Sequence, residues 1–406
     1  MQWKKEWTLL IALFLTLRLV SSALGVVIAS GPDPEPLASG PIYTAADSLL
    51  HQDRLSHLLV NVWERWDTGW YLKIAGFGYN AADGTVSFMP LYPGLVHVLG
   101  TVIGNELLSA LLISSLACLL TILLFYEVAL REGLGETSAL WASFFFAFFP
   151  SFFFLFAAYT DSLFLALTLG TWLAARDRRW IAAGLLGSLA TLCRLQGAVL
   201  SPVLGWVFLA GAAGVPAAQP LEQVRQVAGL WADRIGRRKL WAALKDPVWL
   251  AVLAPALTFL AYSLYLQLSG LGSIPATLEQ HWGIRTVAPW TGLGLFLQRL
   301  FTTPRVFIDW VDLASLLVVL VLLGLGLSRL NPALSLYSWL ALALFFMRGT
   351  PPHLLDSFNR YLLSLFPIFL VLGRMRSRFL RLGLWVISLG LQIFLLLGFL
   401  DWRWVG

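Results

Sequence analysis

The sequence predicts an all-α protein that crosses a membrane many times, and three observations predict it. Hydrophobic residues make up 58% of the 406 and charged residues only 12%. Apolar runs near the length of a bilayer span recur from end to end. The basic residues gather in short breaks between those runs, which is a signal of membrane orientation. Length alone would allow two or three soluble domains, but so apolar a chain reads as a single integral-membrane domain over residues 1 to 406. The net charge of +6 follows from the clustered loops and does not point to nucleic acid. The opening MQWKKEW has no convincing small-residue cleavage site after it, so it reads as the start of a retained first span.

Span one covers residues 7 to 29 and carries Arg18, which at that depth is expected to pair inside the bundle. Residues 30 to 40, SGPDPEPLASG, are turn chemistry. Residues 43 to 66 place Leu55, Leu58, Leu59, Val62 and Trp66 at helical spacing, which predicts an amphipathic helix on the membrane or the bundle. DTGWYLKIAG predicts a short helix that begins at Asp67 and stops at Gly76 or Gly78. SFMPLYPGL then leads back to the membrane. Spans follow at 105 to 130, 138 to 157 and 162 to 175. Residues 180 to 214 are too long for one span and short for two. Arg194, Gln196 and Pro202 interrupt them, which predicts two short helices meeting near Arg194. Residues 215 to 247 form a basic amphipathic segment, and further spans are expected at 248 to 268, 308 to 327, 333 to 347, 358 to 373 and 379 to 400. Cys118 and Cys193 fall in apolar runs and serve as small hydrophobes.

Charge orients these spans. With the N-terminus in the cytoplasm and two helices in 180 to 214, 17 of the 28 basic residues fall on the cytoplasmic side. The basic 215 to 247 segment is among them, and eleven spans result, with the C-terminus outside. Three segments then lie on the extracytoplasmic face: 30 to 104, 269 to 307 and 348 to 358. They hold SFMPLYP, HWGIRTVAPW and RGTPPHLLDSFNR, and that face is expected to be the active one.

Asp67 is a carboxylate set among Trp63, Trp66, Trp70 and Tyr71. Aromatic rings stack on sugars or sit at the headgroup level, and an acid beside them can take a hydroxyl proton. The same residue would also serve as a helix N-cap, satisfying backbone N–H groups. Glu64 sits one turn away if the helix is continuous, with surface solvation as its expected role. No GxxxxGK[ST] occurs, nor a GxGxxG between strand and helix, so an external enzyme must draw its energy from a molecule already in the membrane. A polyprenyl-phosphate sugar fits. Phosphate leaves without protonation, so one carboxylate for the acceptor hydroxyl and cations for the leaving group suffice. Glycoside hydrolysis typically needs two opposed carboxylates, and Asp67 has no obvious partner. No DxD triplet occurs, and neither a metal nor another cofactor is indicated. Candidates for the phosphate are Arg194, Arg360, His281, Arg285, Arg348 and His353. Arg194 needs a partner inside the membrane, for example Asp161 of YTDS, and a structural salt bridge competes with a ligand role. For Arg360 snorkelling alone is the competing account. For His281 it is loop packing against Trp282.

RWDTGWYLKIAGFGY, SFMPLYP, FFPSFFFLFAAYTDSLF, RRWIAAGLLGSLATLCRLQG and NRYLLSLFPIF appear in that order over residues 61 to 367. Together they resemble the motifs of the family of the GPI second-mannose transferase, the phosphatidylinositol-glycan class V type, and its bacterial relatives. Met89 stands where a second Phe is more usual. The resemblance implies a GT-C type fold and an inverting transfer of mannose from a polyprenyl- or dolichyl-phosphate donor. Asp67 would be the general base. Trp66, Tyr71, Tyr92, Asp161, Arg194, His281, Trp282, Arg360 and Tyr361 would contact substrate. The partners implied are that donor, the lipid bilayer and a glycan, lipid or glycolipid acceptor. The implied location is a bacterial plasma membrane, or the ER membrane in a eukaryote. Two other classes stay open. A lipid-sugar flippase or transporter would tend to show two related halves with broken helices at matching places, and no such repeat is evident. The second is a non-catalytic subunit of a transferase complex.

Overall fold

The computed structural model describes residues 5–31, 58–215, 220–302, 304–349, 354–355, 357–403 and 405. His353, Leu55, nearly all of the expected turn at 30 to 40 and most of the expected amphipathic helix at 43 to 66 lie outside them. Leu58 and Leu59 are helical as expected, but the rest of what is described of that stretch is not a continuous helix. Asn61–Trp63 is a single 3-10 turn, and the helix does not continue at Glu64. The chain there is wedged into the bundle, so Val62, Trp63 and Glu64 are all buried. Glu64 is therefore not the solvated surface acid expected of a continuous helix.

The described residues are helical nearly throughout. Helix α1 (Lys5–Ala29) is followed by the acid-bearing α2 (Asp67–Phe77), then α3 (Leu91–Ile103) and α4 (Glu106–Arg131). Next come α5 (Glu136–Ala147), α6 (Asp161–Arg176), α7 (Trp180–Cys193) and α8 (Leu200–Ala212). The basic segment folds as α9 (Pro220–Ala232) and α10 (Arg234–Leu244), and α11 (Val248–Leu268) follows. The next break holds α12 (Ile274–Trp282) and α13 (Pro289–Thr302). The chain closes with α14 (Phe307–Gly326), α15 (Pro332–Phe345), α16 (Phe358–Leu362), α17 (Pro367–Gly373) and α18 (Arg378–Leu400).

Six helical stretches among the described residues are long and apolar enough to cross a membrane, and three shorter apolar helices accompany them. Two expected spans are broken. Residues 138 to 157 are helical only to Ala147. Pro150 disfavours helix at Phe149, and the chain turns through a 3-10 segment at Phe152–Leu155 whose rings are all buried. Residues 358 to 373 divide into α16 and α17, because Pro367 lacks the N–H that would continue a helix. In the other direction, α3 is a helix where the sequence predicts only a return to the membrane. Asn105 caps the α4 that follows it, accepting from Leu108 N at 2.8 Å.

The expected break near Arg194 is present. Helix α7 ends at Cys193, Arg194 is extended, and Leu195–Val199 forms a 3-10 turn before α8. Gly197 makes the turn possible: a Cβ there would lie 2.3 Å from Thr191 N. Gly197→Ala must therefore push α7 and the Arg194 segment apart. Its expected cost is about 3 kcal/mol, the upper end of overpacking, read as a lower midpoint in thermal unfolding. An unchanged midpoint would mean that the close approach does not hold Arg194. Close glycine contacts also join α7 to α11, where Cβ atoms at Gly184 and Gly187 would meet Ala251 O at 2.6 Å and Pro255 Cγ at 2.7 Å.

Arg18 does lie inside the bundle, over the Trp63 ring at 4.7 Å. Its partner there is an aromatic face.

Candidate functional site

Asp67 opens α2 but does not cap it. The N-cap position belongs to Trp66, and no side chain makes a cap bond. Instead the Asp67 N–H donates to the Tyr159 hydroxyl at 3.3 Å, and that hydroxyl donates to Arg65 O at 2.9 Å. The carboxylate is thereby released from backbone duty, and 30% of its side chain is exposed. Trp66 adopts φ 49°, a left-handed value that costs a large side chain on the order of 1–3 kcal/mol. Its surroundings hold it there. The Trp66 ring packs edge-on against Trp402 at 5.9 Å, and Arg65 donates from Nε and Nη2 to Leu400 O at 3.2 and 3.0 Å. Val60 to Arg65 thus lock against the end of α18, and the bend at Trp66 aims Asp67 the other way.

Asp67 Oδ2 faces Arg360 Nη1 at 2.5 Å. Arg360 also donates from Nε to Asp161 Oδ2 at 3.0 Å, and Asp161 Oδ1 accepts from Arg194. Four charges thus alternate along a chain, Asp67–Arg360–Asp161–Arg194, in which only Asp67 is more than 9% exposed. Ordered pairing offsets the desolvation of the inner three, which is costly for an isolated charge. Arg360 further lies over the Tyr159 ring at 4.3 Å, and Arg194 over Tyr361 at 5.1 Å. Two buried aspartates of α14 brace the Arg360 segment. Asp309 accepts from Leu354 N at 3.2 Å, and Asp312 accepts from Asn359 N and Nδ2 at 3.1 and 2.7 Å.

A cavity of about 170 Å³ lies at this charge chain. Asp67, Arg194, Arg348 and Arg360 line it together with Tyr71, Trp282 and Tyr361. All three segments expected on one face converge on its wall. Asp67 to Met89 come from the first, Leu278 to Ile284 from the second, and Arg348 and Ser357 from the third. A short β-bridge between Thr286 and Arg348 and the bond from Gly349 N to Arg285 O at 2.8 Å pin the second segment to the third. Trp282 is wedged between Trp70 at 5.5 Å and Phe88 at 6.0 Å and lies flat on Gly84, where a Cβ would meet its ring at 2.2 Å.

Tyr71 packs edge-on against Phe88, Tyr92 and Tyr159 and shares a 3.3 Å hydrogen bond with Thr160 Oγ1. Burial first, and then the Asp67 carboxylate, push its phenol well above the usual range, so it stays a protonated donor. On the loop beyond α2, Asp83 is held below the usual carboxylate range by hydrogen bonds from Thr85 and Lys73, which outweigh its desolvation.

Of the residues named from sequence, Asp67, Tyr71, Arg194, Trp282, Arg348, Arg360 and Tyr361 line the cavity. Asp161 sits directly behind it, holding both arginines. Tyr92 is fully buried beneath Tyr71, its hydroxyl bonded to Ala110 O and Ser114. Trp66 turns away to Trp402. His281 flanks Trp282 from an exposed position outside the lining, and Arg285 is an exposed partner of Glu279 at 2.9 Å. Sequence reasoning did not assign a site role to Ser87, Phe88 or Gln196, although each lies inside a motif it quoted. Ser87 Oγ is buried without a hydrogen-bond partner among the described residues. Among those residues no three His, Cys, Asp or Glu side chains gather at one place.

Burial raises the Glu64 carboxyl to about 7, with Arg65 opposing. Because the folded value exceeds the ordinary 4.5, the folded chain holds the extra proton. That contribution is complete below about 4.5, falls across 4.5 to 7, and is lost above the folded value. Glu64→Gln is expected to remove this slope and to raise stability at pH 8 by about 3 kcal/mol. Unfolding midpoints of the two proteins that run parallel from pH 4.5 to 8 would contradict it.

The chain is similar, at low identity, to two solved structures. One is the Archaeoglobus fulgidus oligosaccharyltransferase tethered with an acceptor peptide. It shares 15% identity over 99% of this chain and 56% of that one, with a TM-score of 0.43. The other is ArnT from Cupriavidus metallidurans bound to undecaprenyl phosphate, with 17% identity over 96% of this chain, 64% of that one and a TM-score of 0.46. The chain therefore spans less than two thirds of either. No curated protein matches it. The family model described as Mannosyltransferase (PIG-V) matches residues 5–210, half of the chain, from the first helix through the Asp67 segment and the YTDS run to Arg194. These residues supply three of the four charges in the site, and with that match the chain belongs to the mannosyltransferase (PIG-V) family of membrane glycosyltransferases.

Proposed function

We propose that this protein is a GT-C type enzyme that moves a sugar, mannose by its family, from a polyprenyl- or dolichyl-phosphate to an acceptor hydroxyl at the extracytoplasmic face. One observation carries the reading: a single partly exposed carboxylate shares a cavity with two arginines that a buried aspartate fixes in place. Asp67 Oδ2 is committed to Arg360. Oδ1 accepts no hydrogen bond from any described residue and is the atom for an acceptor proton.

In the reaction the acceptor oxygen attacks the anomeric carbon as the bond from that carbon to the phosphate oxygen breaks, so the configuration inverts. The acceptor proton passes to Asp67, and the bonding pair leaves on the lipid phosphate. Arg360, Arg194 and Arg348 face the charge that grows there, in a wall already organised before substrate arrives. Phosphate needs no protonation to leave, so Asp161, bound by two guanidiniums, has no second acid role to fill. Trp282 offers an aromatic face for the sugar, and the unpartnered Ser87 hydroxyl offers a hydrogen bond.

The test is chemistry in detergent. Purified protein given a polyprenyl-phosphate mannose and a pool of hydroxyl acceptors should release polyprenyl phosphate and form a mannoside of inverted configuration. Sidedness-dependent movement of the intact donor in vesicles, without cleavage, would make the protein a transporter. Activity regained only with a second protein would make it a subunit of a complex.

A further inference from the structure

A second cavity, of about 380 Å³, lies at the opposite end of α6 and α7 from the candidate site. Arg176 and Arg178 line it where α6 ends, Trp180 where α7 begins, and Trp206 on α8, with Gln223 and Asn331 beside them. Thr160 and Arg194 of the first cavity sit at the other ends of the same two helices. The sixteen residues of α6 set the two sites about 24 Å apart along the helix axis.

The lining contains two arginines and no carboxylate. The nearest acid in sequence, Asp177, pairs with Arg131, and Arg176 reaches Glu132 at only 3.7 Å. The Arg178 side chain has no hydrogen-bonded or ionic partner among the described residues, and its backbone is left-handed at φ 58°. Arg178 N bonds to Ala175 O and Arg179 N to Ala174 O, the pattern of a helix stop that glycine fills without strain. Arginine stands here where glycine would fit without strain, and its charge lines a cavity. The pair of tryptophans suits the headgroup level of a bilayer, and Trp206 Nε1 donates to Gln223 Oε1 at 2.9 Å, tying α8 to α9. Beside this wall Gly211 is exposed, and a Cβ there would meet nothing within 4 Å.

We propose that this cavity binds the phosphate headgroup of an anionic phospholipid. Under the orientation proposed above the lipid comes from the cytoplasmic leaflet. The inference is otherwise independent of the transfer reaction, because binding alone reads it out. A membrane lipid is favoured over free phosphate because the cations sit beside tryptophans and an apolar wall at helix ends, where a headgroup resides.

The full chain is placed in nanodiscs of phosphatidylcholine with or without phosphatidylglycerol. Phosphatidylglycerol should raise the unfolding temperature and remain bound through purification, as read by mass spectrometry. Arg178→Gly keeps the left-handed turn, so it should retain stability in phosphatidylcholine while holding phosphatidylglycerol about five-fold less well. Gly211→Leu, which fills the open space, should lower retention in the same sense. Equal retention of the two lipids by the wild-type protein, or undiminished retention by Arg178→Gly, overturns the proposal. So does an equal rise in unfolding temperature with inorganic phosphate, which would leave a free-anion site in place of a lipid site.

Discussion

Asp67→Asn is expected to lower turnover by about 10²–10⁴-fold, the usual contribution of a positioned general base, while leaving the fold and the affinity for the lipid donor nearly unchanged. Asparagine has the same shape, and its carbonyl oxygen can still accept from Arg360, so the helix entry at Trp66 and the arginine wall keep their places. What disappears is the ability to take a proton. The measurement is kcat and KM for transfer by purified protein, with donor binding followed separately. A fall in donor affinity with unchanged kcat would assign Asp67 to binding. Turnover near wild type would leave the acid with no part in the chemistry.

Asp161→Ala should have the largest effect on stability. The substitution leaves Arg194 unpaired and Arg360 with only the more exposed of its two acids. Breaking a buried ion pair from one side costs about 3–5 kcal/mol, because the remaining charge stays out of water. Tryptophan fluorescence, from 19 residues in the chain, can follow unfolding in detergent. A triple variant that replaces Asp161, Arg194 and Arg360 with apolar residues is expected to recover part of that loss without recovering activity. If Asp161→Ala unfolds at the wild-type midpoint, the four charges are not mutually dependent. The buried arginines must then be satisfied by other means.

The long apolar helices were legible because a span announces itself in hydropathy, and the break at Arg194 because 35 residues fit neither one nor two spans. Hydropathy is blind to what happens inside an apolar run. FFPSFFF scores as membrane although its chain is folded back on itself, and Pro150 was the available signal. Helix α3 carries Pro93 and Gly94 near its start, residue types that ordinarily punctuate turns. A proline in the first turn removes only an N–H that has no partner there. In the site, Asp67, Arg194 and Trp282 stood out as polar or aromatic residues in unusual company. The Asp161–Arg194 pair was within reach, 33 residues apart. The hydrogen bonds of Arg360 to Asp161 and Asp67 close over 199 and 293 residues. No periodicity or spacing rule can see such a closure. Ser87 and Phe88 were passed over because nothing local distinguishes a cavity wall from a packed one.

The contacts of Arg65 with Leu400 and of Trp66 with Trp402 bear on how the protein is made. The backbone strain that aims Asp67 is held by groups that leave the ribosome more than 300 residues later. A nascent chain carries the acid early, yet its latch closes only when α18 has been inserted. Under the function proposed above, an incompletely assembled chain would hold Asp67 in the wrong place for transfer.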